Sequence, residues 1–330
     1  MQHDEASSSI KQRAIRKLER DMGPKILAAL HDPKTREIQV NQNGSVWWVH
    51  HGGWPEKIAT LRPAQAEAII KTVAGFLNKE AKEDKPLLEG EFPIDGSRFA
   101  GQLPPVVPAP VFCIRKKATQ IFTLEDYVNN GIMTKEQKAV IQEAVKTHKN
   151  ILISGGTGSG KTTLVNAVIQ EMVENEPNER IAILEDTGEI QCAAQNYNQY
   201  HTTINVTMTM LIQTSLRMTP DRILVGEVRG GEALDLLMAW NTGHPGGAAT
   251  VHANNALESF ERLEVLVALN SAAGNLGVET IKQLIGKAVD VVVFIVKNPA
   301  DGSRSVTEII SVSDYIDGQY QTNSLLNVNN

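Results

Sequence analysis

Residues 151–172 read ILISGGTGSGKTTLVNAVIQEM. A short apolar run leads into a loop with four glycines in six positions, then a lysine and two threonines, then apolar residues at helical spacing. That order dictates strand, tight loop and helix in succession. Gly155-x-x-x-x-Gly160-Lys161-Thr162 has the P-loop spacing. Glycines let backbone N–H groups turn inward around phosphate oxygens with no Cβ in the way. The helix N-terminus adds partial positive charge. Gly155, Gly156, Thr157, Gly158, Ser159 and Gly160 are therefore expected to cradle phosphates. Lys161 is expected to reach the β and γ phosphates and Thr162 to place its hydroxyl on Mg²⁺, with Thr163 beside it. The loop implies a nucleotide, but many chemistries share it, so function has to come from other residues.

The chain has 330 residues, enough for two cores. Its longest apolar run, VVVFIV at 291–296, suits a buried strand and falls well short of the ~20 residues of a membrane span. The N-terminal residues have no apolar h-region, so no secretory signal is expected. Two distant cysteines, Cys113 and Cys192, make a disulfide framework or zinc ribbon an unfavourable reading and point to a reducing, cytoplasmic compartment. Net charge is −6 but uneven: residues 1–118 hold 18 Lys and Arg against 14 Asp and Glu, and residues 119–330 hold 14 against 24. The segment IKQRAIRKLERDMGPK carries six cations and two anions. A solvated helix face explains it, as does contact with anionic lipid or nucleic acid. The acidity of the whole chain argues against a dedicated nucleic-acid binder.

TREIQVNQNGSVWWVHHG alternates apolar and polar residues around Asn43-Gly44 and reads as a hairpin. RPAQAEAIIKTVAGFLNK reads as a helix with Pro63 near its start. GQLPPVVPAPVFCIRKKA, rich in proline, reads as the frayed edge of a first α+β domain followed by a hinge. TKEQKAVIQEAVKTH restarts helical periodicity, and from residue 150 the apolar runs NILISG, RIAILED, HTTINV, RILVGEV, GAATVHA and DVVVFIV alternate with helices. The expected fold class is α/β: a P-loop domain over 135–330 with a largely parallel sheet and helices on both faces, a linker over 119–134, and a smaller N-terminal α+β domain over 1–118.

In open α/β sheets the carboxyl ends of strands face the ligand crevice. RIAILEDTGEI ends a strand in Glu185-Asp186 with Glu189 a turn later, and RILVGEVRGGEA ends another in Glu227. Such carboxylates orient water or hold hydrated Mg²⁺; Glu189 is equally well read as a solvated turn or cap. Gly226 stands where a metal-holding Asp is expected, which leaves Glu227 to reach the metal, through water. Arg217, Arg222 and Arg229 surround the second strand; guanidinium suits a transferring phosphoryl group. Arg222, at the strand start, reads as structural. TGHPGGAATVHANN places His244 and His252 around Gly246-Gly247. Without a neighbouring cysteine or HxxxH spacing, a metal site is disfavoured. Gly246 and Gly247 are expected to bring the strand start close to the nucleotide. His244 reads equally as a helix-terminal histidine stabilised by the dipole.

GGTGSGKTT, ILEDTGEI, LRMTPDRILVGEVRGGEA and TGHPGGAATVHANN, in that order, resemble the Walker A, Asp box, Walker B and His box of the secretion-superfamily traffic ATPases. The likeness is to the conjugal-transfer, type IV secretion branch, the TrbB-like group. TREIQVNQNGSVWW and DGSRFAGQLPPVVPAPVFCIRK resemble that branch's N-terminal domain. The resemblance spans roughly residues 25–300. It implies a RecA-like ATPase domain and a homo-hexameric ring that binds ATP and Mg²⁺ and docks on inner-membrane secretion or conjugation machinery from the cytoplasm. Residue by residue, it implies Glu185 as the base that orients water, Glu227 as the Walker B acid, Arg229 as the Walker B arginine and His252 as a sensor of the γ-phosphate. It also implies that Arg98 and Arg115 of the N-terminal domain meet the phosphates.

Three functions compete: a transport motor, a nucleotide-gated assembly subunit with slow turnover, and a nucleic-acid translocase. No strip of interleaved aromatic and basic residues supports the last, so sequence-specific nucleic-acid binding is not expected. Two lone cysteines point away from the type II branch with its tetracysteine zinc module; a pilus-retraction motor stays open.

Overall fold

The structure is a computed structural model that describes residues 2–50, 54–116, 121–203 and 205–327, with side chains described from 11 to 325 of these. The chain folds as two compact units, Met1–Thr119 and Gln120–Asn330.

In the first unit a long helix, α1 (Gln2–His31), is broken at Gly23, whose φ of 76° and ψ of 169° no helix accommodates, and resumes at Pro24. Its cations Lys11, Arg13, Arg16, Arg20 and Lys25 are exposed. Its Leu18, Met22, Ile26 and Leu30 are buried. The expected hairpin is β1 (Thr35–Val40) and β2 (Ser45–His50); its exit, residues 51–53, lies outside the described residues. There follow β3 (Glu56–Thr60), α2 (Pro63–Phe76), β4 (Leu87–Glu91), β5 (Arg98–Gln102) and β6 (Val111–Arg115). The six strands form an antiparallel sheet in the order β3-β2-β1-β6-β5-β4. Ile38, Val40, Phe99, Phe112 and Ile114 of the sheet pack with Ile69, Ile70 and Val73 of α2 and with α1. One expectation fails here. VFCIR is no frayed edge: β6 is a central strand between β1 and β5. The prolines at 104, 105, 108 and 110 fall in the β5–β6 connection, where no ladder N–H is lost.

The second unit opens with α3 (Leu124–Asn129), inside the stretch expected as a linker. Leu124 and Tyr127 are buried in its core, so residues 121–134 are part of this unit rather than a spacer; 119 and 120 lie outside the described residues. Next come α4 (Lys135–Lys146), β7 (Ile151–Ser154), α5 (Lys161–Asn175), β8 (Ile181–Glu185), β9 (Tyr197–His201), α6 (Met208–Ser215), β10 (Arg222–Val225) and α7 (Glu232–Asn241). The unit ends with β11 (Ala248–Val251), α8 (Glu258–Ala268), α9 (Val278–Ala288), β12 (Val291–Lys297), β13 (Arg304–Ile316) and β14 (Gln319–Asn327). Thr134 caps α4, accepting from Gln137 N while Gln137 returns a bond to Thr134 N.

The sheet runs β14-β13-β12-β7-β11-β10-β8-β9. From β12 to β9 neighbours are parallel; β13 and β14 continue it antiparallel. Strands buried on both faces read as continuous apolar runs, and that is why they were legible. Ile151, Ile153, Ile183, Val291 and Val293 face α3–α5, while Leu152, Leu184, Val292 and Phe294 face α6–α9. HTTINV is a miss: the edge strand beside β8 is Tyr197–His201, which shares only His201 with that segment, and Thr203 and Val206 form an isolated bridge after the strand. An edge strand needs no apolar run, and YNQYH has none.

The start of β10 is tied down by a fully buried cation. Arg222 is 0% exposed, pairs through Nε with Glu179, and donates to Gly246 O at 3.0 Å. It therefore joins the strand starts of β10 and β11, as its sequence position implied. Removing one partner of a buried pair strands the other, so Arg222→Ala should lower unfolding free energy by about 3–5 kcal/mol. Chemical denaturation of the full chain checks this; a loss below 1 kcal/mol would mean that Glu179 is hydrated in the folded state.

Candidate functional site

The P-loop folds as its sequence demands. The loop between β7 and α5 closes against β12: a Cβ on Gly155 would lie 2.2 Å from Ile295 O. Gly160, at φ 101°, caps α5 in a conformation that glycine tolerates best. Gly156 and Thr157 are exposed, Gly158 half-buried and Ser159 buried; Thr162 and Thr163 are half-buried on the first turn of α5.

Lys161 is buried, 8% exposed. Its Nζ donates to Gly155 O at 2.8 Å and Gly156 O at 3.0 Å, and stands 3.3 Å from His252 Nδ1. Burial pushes the ammonium down to about 8; the Glu227 charge opposes this and the Arg229 charge adds to it. His252 follows β11 and bridges outward, its Nε2 lying 2.9 Å from Glu227 Oε1. With Lys161 donating to Nδ1, the Nε2–H tautomer donates to the carboxylate. Burial and the Lys161 charge hold the imidazole below its ordinary value, against the pull of Glu227. Arg229 Nη2 donates to Glu227 Oε2 at 2.7 Å and Nη1 to Asp186 Oδ2 at 3.2 Å. Burial opposes ionisation of Glu227, but the Arg229 hydrogen bond and the charges of Arg229, His252 and Lys161 outweigh it and hold the carboxyl below its usual range. A continuous chain of contacts thus runs Lys161–His252–Glu227–Arg229–Asp186 across the carboxyl ends of β7, β11, β10 and β8.

Glu185 is buried, and three donors hold it. Oε1 accepts from Glu189 N at 2.9 Å and Ile190 N at 2.7 Å; Oε2 accepts from Gln199 Nε2 at 2.7 Å. Burial pushes its carboxyl up, against those hydrogen bonds and the His201 charge. A side chain at 226 would meet it: a Cβ on Gly226 would stand 3.0 Å from Glu185 Cγ. The glycine at 226 thus leaves Glu185 the room that a side chain there would crowd. Gln199, on the polar edge strand, was not foreseen, because nothing in YNQYH marks it.

The two histidines separate. β11 pairs in parallel with β7, Ala248 opposite Ile151 and Val251 opposite Ser154. His252 therefore lies at the loop end, while His244 precedes the opposite end, with its Nδ1 2.9 Å from Pro220 O. Gly246 and Gly247 lie at that far end too, so they do not bring the strand close to the nucleotide loop. They are small because Arg222, His148, Trp240 and Ile223 O crowd them; a Cβ on Gly247 would lie 2.5 Å from Ile223 O. Arg217 is exposed in a 3-10 turn before β10.

In the first unit, Arg98 and Arg115 are directly opposite each other in the β5–β6 ladder. Like charges so placed cost stability. Arg115 Nε lies 3.9 Å from Glu37 Oε1.

A glycine-rich loop at a helix N-terminus, with acids, an arginine and a histidine on the ends of neighbouring parallel strands, defines a P-loop nucleotide-binding fold of the RecA-like kind, preceded by a smaller α+β unit. Residues 98–323 match the model of the family described as "Type II/IV secretion system protein", and the chain belongs to that family. It is 44% identical over 310 residues to the conjugal transfer protein TrbB of Rhizobium radiobacter, covering 94% of each chain. It is 31% identical to the type IV secretion system protein VirB11 of Bartonella quintana, covering 86% of this chain and 90% of that one. The crystal structure of the VirB11 ATPase of Brucella suis in complex with sulphate superposes with a TM-score of 0.50 at 28% identity, covering 92% of this chain and 96% of that one.

Because the Lys161 ammonium sits at about 8, and a bound polyphosphate restores its charge, binding of a nucleoside diphosphate at pH 8 should take up roughly half a proton. Uptake should fade toward pH 6, where the lysine is already charged. Calorimetry in buffers of different ionisation heat measures it; zero uptake at pH 8 would show that burial does not depress this lysine.

Proposed function

We propose that this chain is the ATP-hydrolysing subunit of a homo-hexameric motor that powers conjugal transfer or type IV secretion. The observation that carries the reading is the contact chain Lys161–His252–Glu227–Arg229, built at one end of the sheet beside the phosphate loop. The loop amides and Lys161 bind the phosphates. Thr162 and Glu227 are the residues that would hold Mg²⁺, which neutralises charge on the phosphates when bound. Among the described residues no cluster of three His, Cys, Asp or Glu could hold a metal, and a cation carried by phosphates and water needs none. Glu185 orients and deprotonates the attacking water through Oε2, which has one donor where Oε1 has two. Its raised carboxyl suits a base. His252 senses the γ-phosphate: a phosphate that recruits Lys161 alters the Lys161–His252 contact and, through Nε2, Glu227. Arg229, Arg98 and Arg115 neutralise phosphate charge.

The motor reading is tested by turnover. Lys161→Ala should abolish ATP hydrolysis and leave the fold intact. Glu185→Gln should bind ATP and lose turnover by about 100-fold or more. Wild-type hydrolysis in either variant would remove the role given to that residue; slow turnover in the wild type that membrane partners do not raise would favour the nucleotide-gated assembly subunit.

Among the described residues no helix is long and apolar enough to cross a membrane. We place the protein in the cytoplasm, docked peripherally on inner-membrane machinery with help from the cations of residues 11–25. Of these, Lys17 is engaged with Asp21 at 2.6 Å and Thr72 at 2.9 Å, and five are exposed. At ~1 kcal/mol per cation near anionic lipid, attachment should be weak, and high salt should release the membrane-pelleted share. A pellet that resists salt and yields to detergent would overturn the electrostatic part.

A further inference from the structure

Three buried side-chain polar atoms have no hydrogen-bond partner among the described residues: Ser154 Oγ, Ser159 Oγ and Arg304 Nε. The first two belong to the phosphate loop and the residue before it. The third comes from the start of β13, far along the chain and outside every motif. Arg304 nevertheless lies against the loop, for a Cβ on Gly160 would stand 3.1 Å from its Cδ and 3.3 Å from its Nε. Its charge also acts on the buried Tyr127 of α3. The residue as a whole is half-buried, with the Nε atom the enclosed part, and among the described residues no carboxylate forms an ion pair with it.

Sheet order says which part of a nucleotide Arg304 would meet. Lys161 points toward His252, at the end of β11, and the acids follow on β10 and β8. That flank of β7 takes the γ end of the phosphate chain. β12 and β13 lie on the other flank of β7, and the loop leans on β12 through Gly155. A linear nucleotide with its β and γ phosphates on Lys161 leaves the loop on the β12–β13 side, where Arg304 stands.

We propose that Arg304 binds the nucleoside end of the nucleotide, its guanidinium contacting the α-phosphate and the attached nucleoside. This rests on the nucleotide-binding reading above. A planar guanidinium can both donate to phosphate oxygens and stack on a base. It would discriminate nucleotides from bare polyphosphates, which the loop alone does not.

The test is equilibrium binding of ADP and of pyrophosphate to the full chain, as wild type, Arg304→Gln and Arg304→Lys, with thermal melting of each free protein. Arg304→Gln should weaken ADP about tenfold, leave pyrophosphate affinity unchanged and melt with the wild type. Arg304→Lys, which keeps the charge and the stem, should recover part of the ADP affinity. Unchanged ADP affinity in Arg304→Gln overturns the proposal. Equal losses for ADP and pyrophosphate overturn it as well, whatever the melting temperature; with a lowered melting temperature they assign Arg304 to packing. If Arg304→Gln fails to fold, Arg304→Lys decides: its ADP affinity must fall while its pyrophosphate affinity holds. A wild-type protein that binds pyrophosphate but not ADP sinks this proposal alone; one that binds neither sinks the nucleotide reading beneath it.

Discussion

A buried lysine ammonium sits in the phosphate loop with two backbone carbonyls and an imidazole for company, and among the described residues no carboxylate pairs with it. Its counter-charge, Glu227, stands one residue away through His252. Coulombic attraction at that separation is too weak to offset desolvation, and the lysine's affinity for its proton falls. The arrangement keeps the cation available: a direct Lys–Glu pair would have to be broken before a phosphate could bind. The ends of β7, β11 and β10 must lie side by side for this to hold, and the parallel register of the sheet supplies that alignment.

The opposite end of the sheet supplies rigidity. Arg222 and the crowded glycines 246 and 247 lock the starts of β10 and β11 to the end of α4 and to Glu179. The two ends divide the labour. At the strand starts the central cation, Arg222, is enclosed and paired with Glu179, whereas the charges at the strand ends are linked in series and partly open. Of the two histidines in one short motif, one belongs to each end. Spacing alone could not say so, because a four-residue strand carries the chain from one side of the sheet to the other.

Most of this architecture was legible where burial on both faces forced apolar runs, and the loop was legible because phosphate binding fixes its glycines and lysine by chemistry. What stayed hidden was hidden for physical reasons. The edge strand β9 carries no apolar signal, and with it Gln199 went unseen. The proline-rich connection obscured the central place of β6, since prolines mark where a ladder stops but not what begins after them. Arg304 touches the loop only because the β12–β13 hairpin is carried to the side of β7, a strand distant from it in sequence. Glycine 226 reads as a gap in a motif in the sequence, whereas the fold sets it directly against the Glu185 side chain.

That last contact couples positions 185 and 226. The glutamate side chain from one strand lies against the bare backbone of the next, with 3.0 Å between Glu185 Cγ and a Cβ placed at 226. A side chain at 226 therefore requires Glu185 to give way by a few tenths of an ångström. Glu185 is held by Glu189 N, Ile190 N and Gln199 Nε2, so that shift would be felt in the three hydrogen bonds that aim its carboxylate. A substitution on one strand is thus read first at the carboxylate of its neighbour.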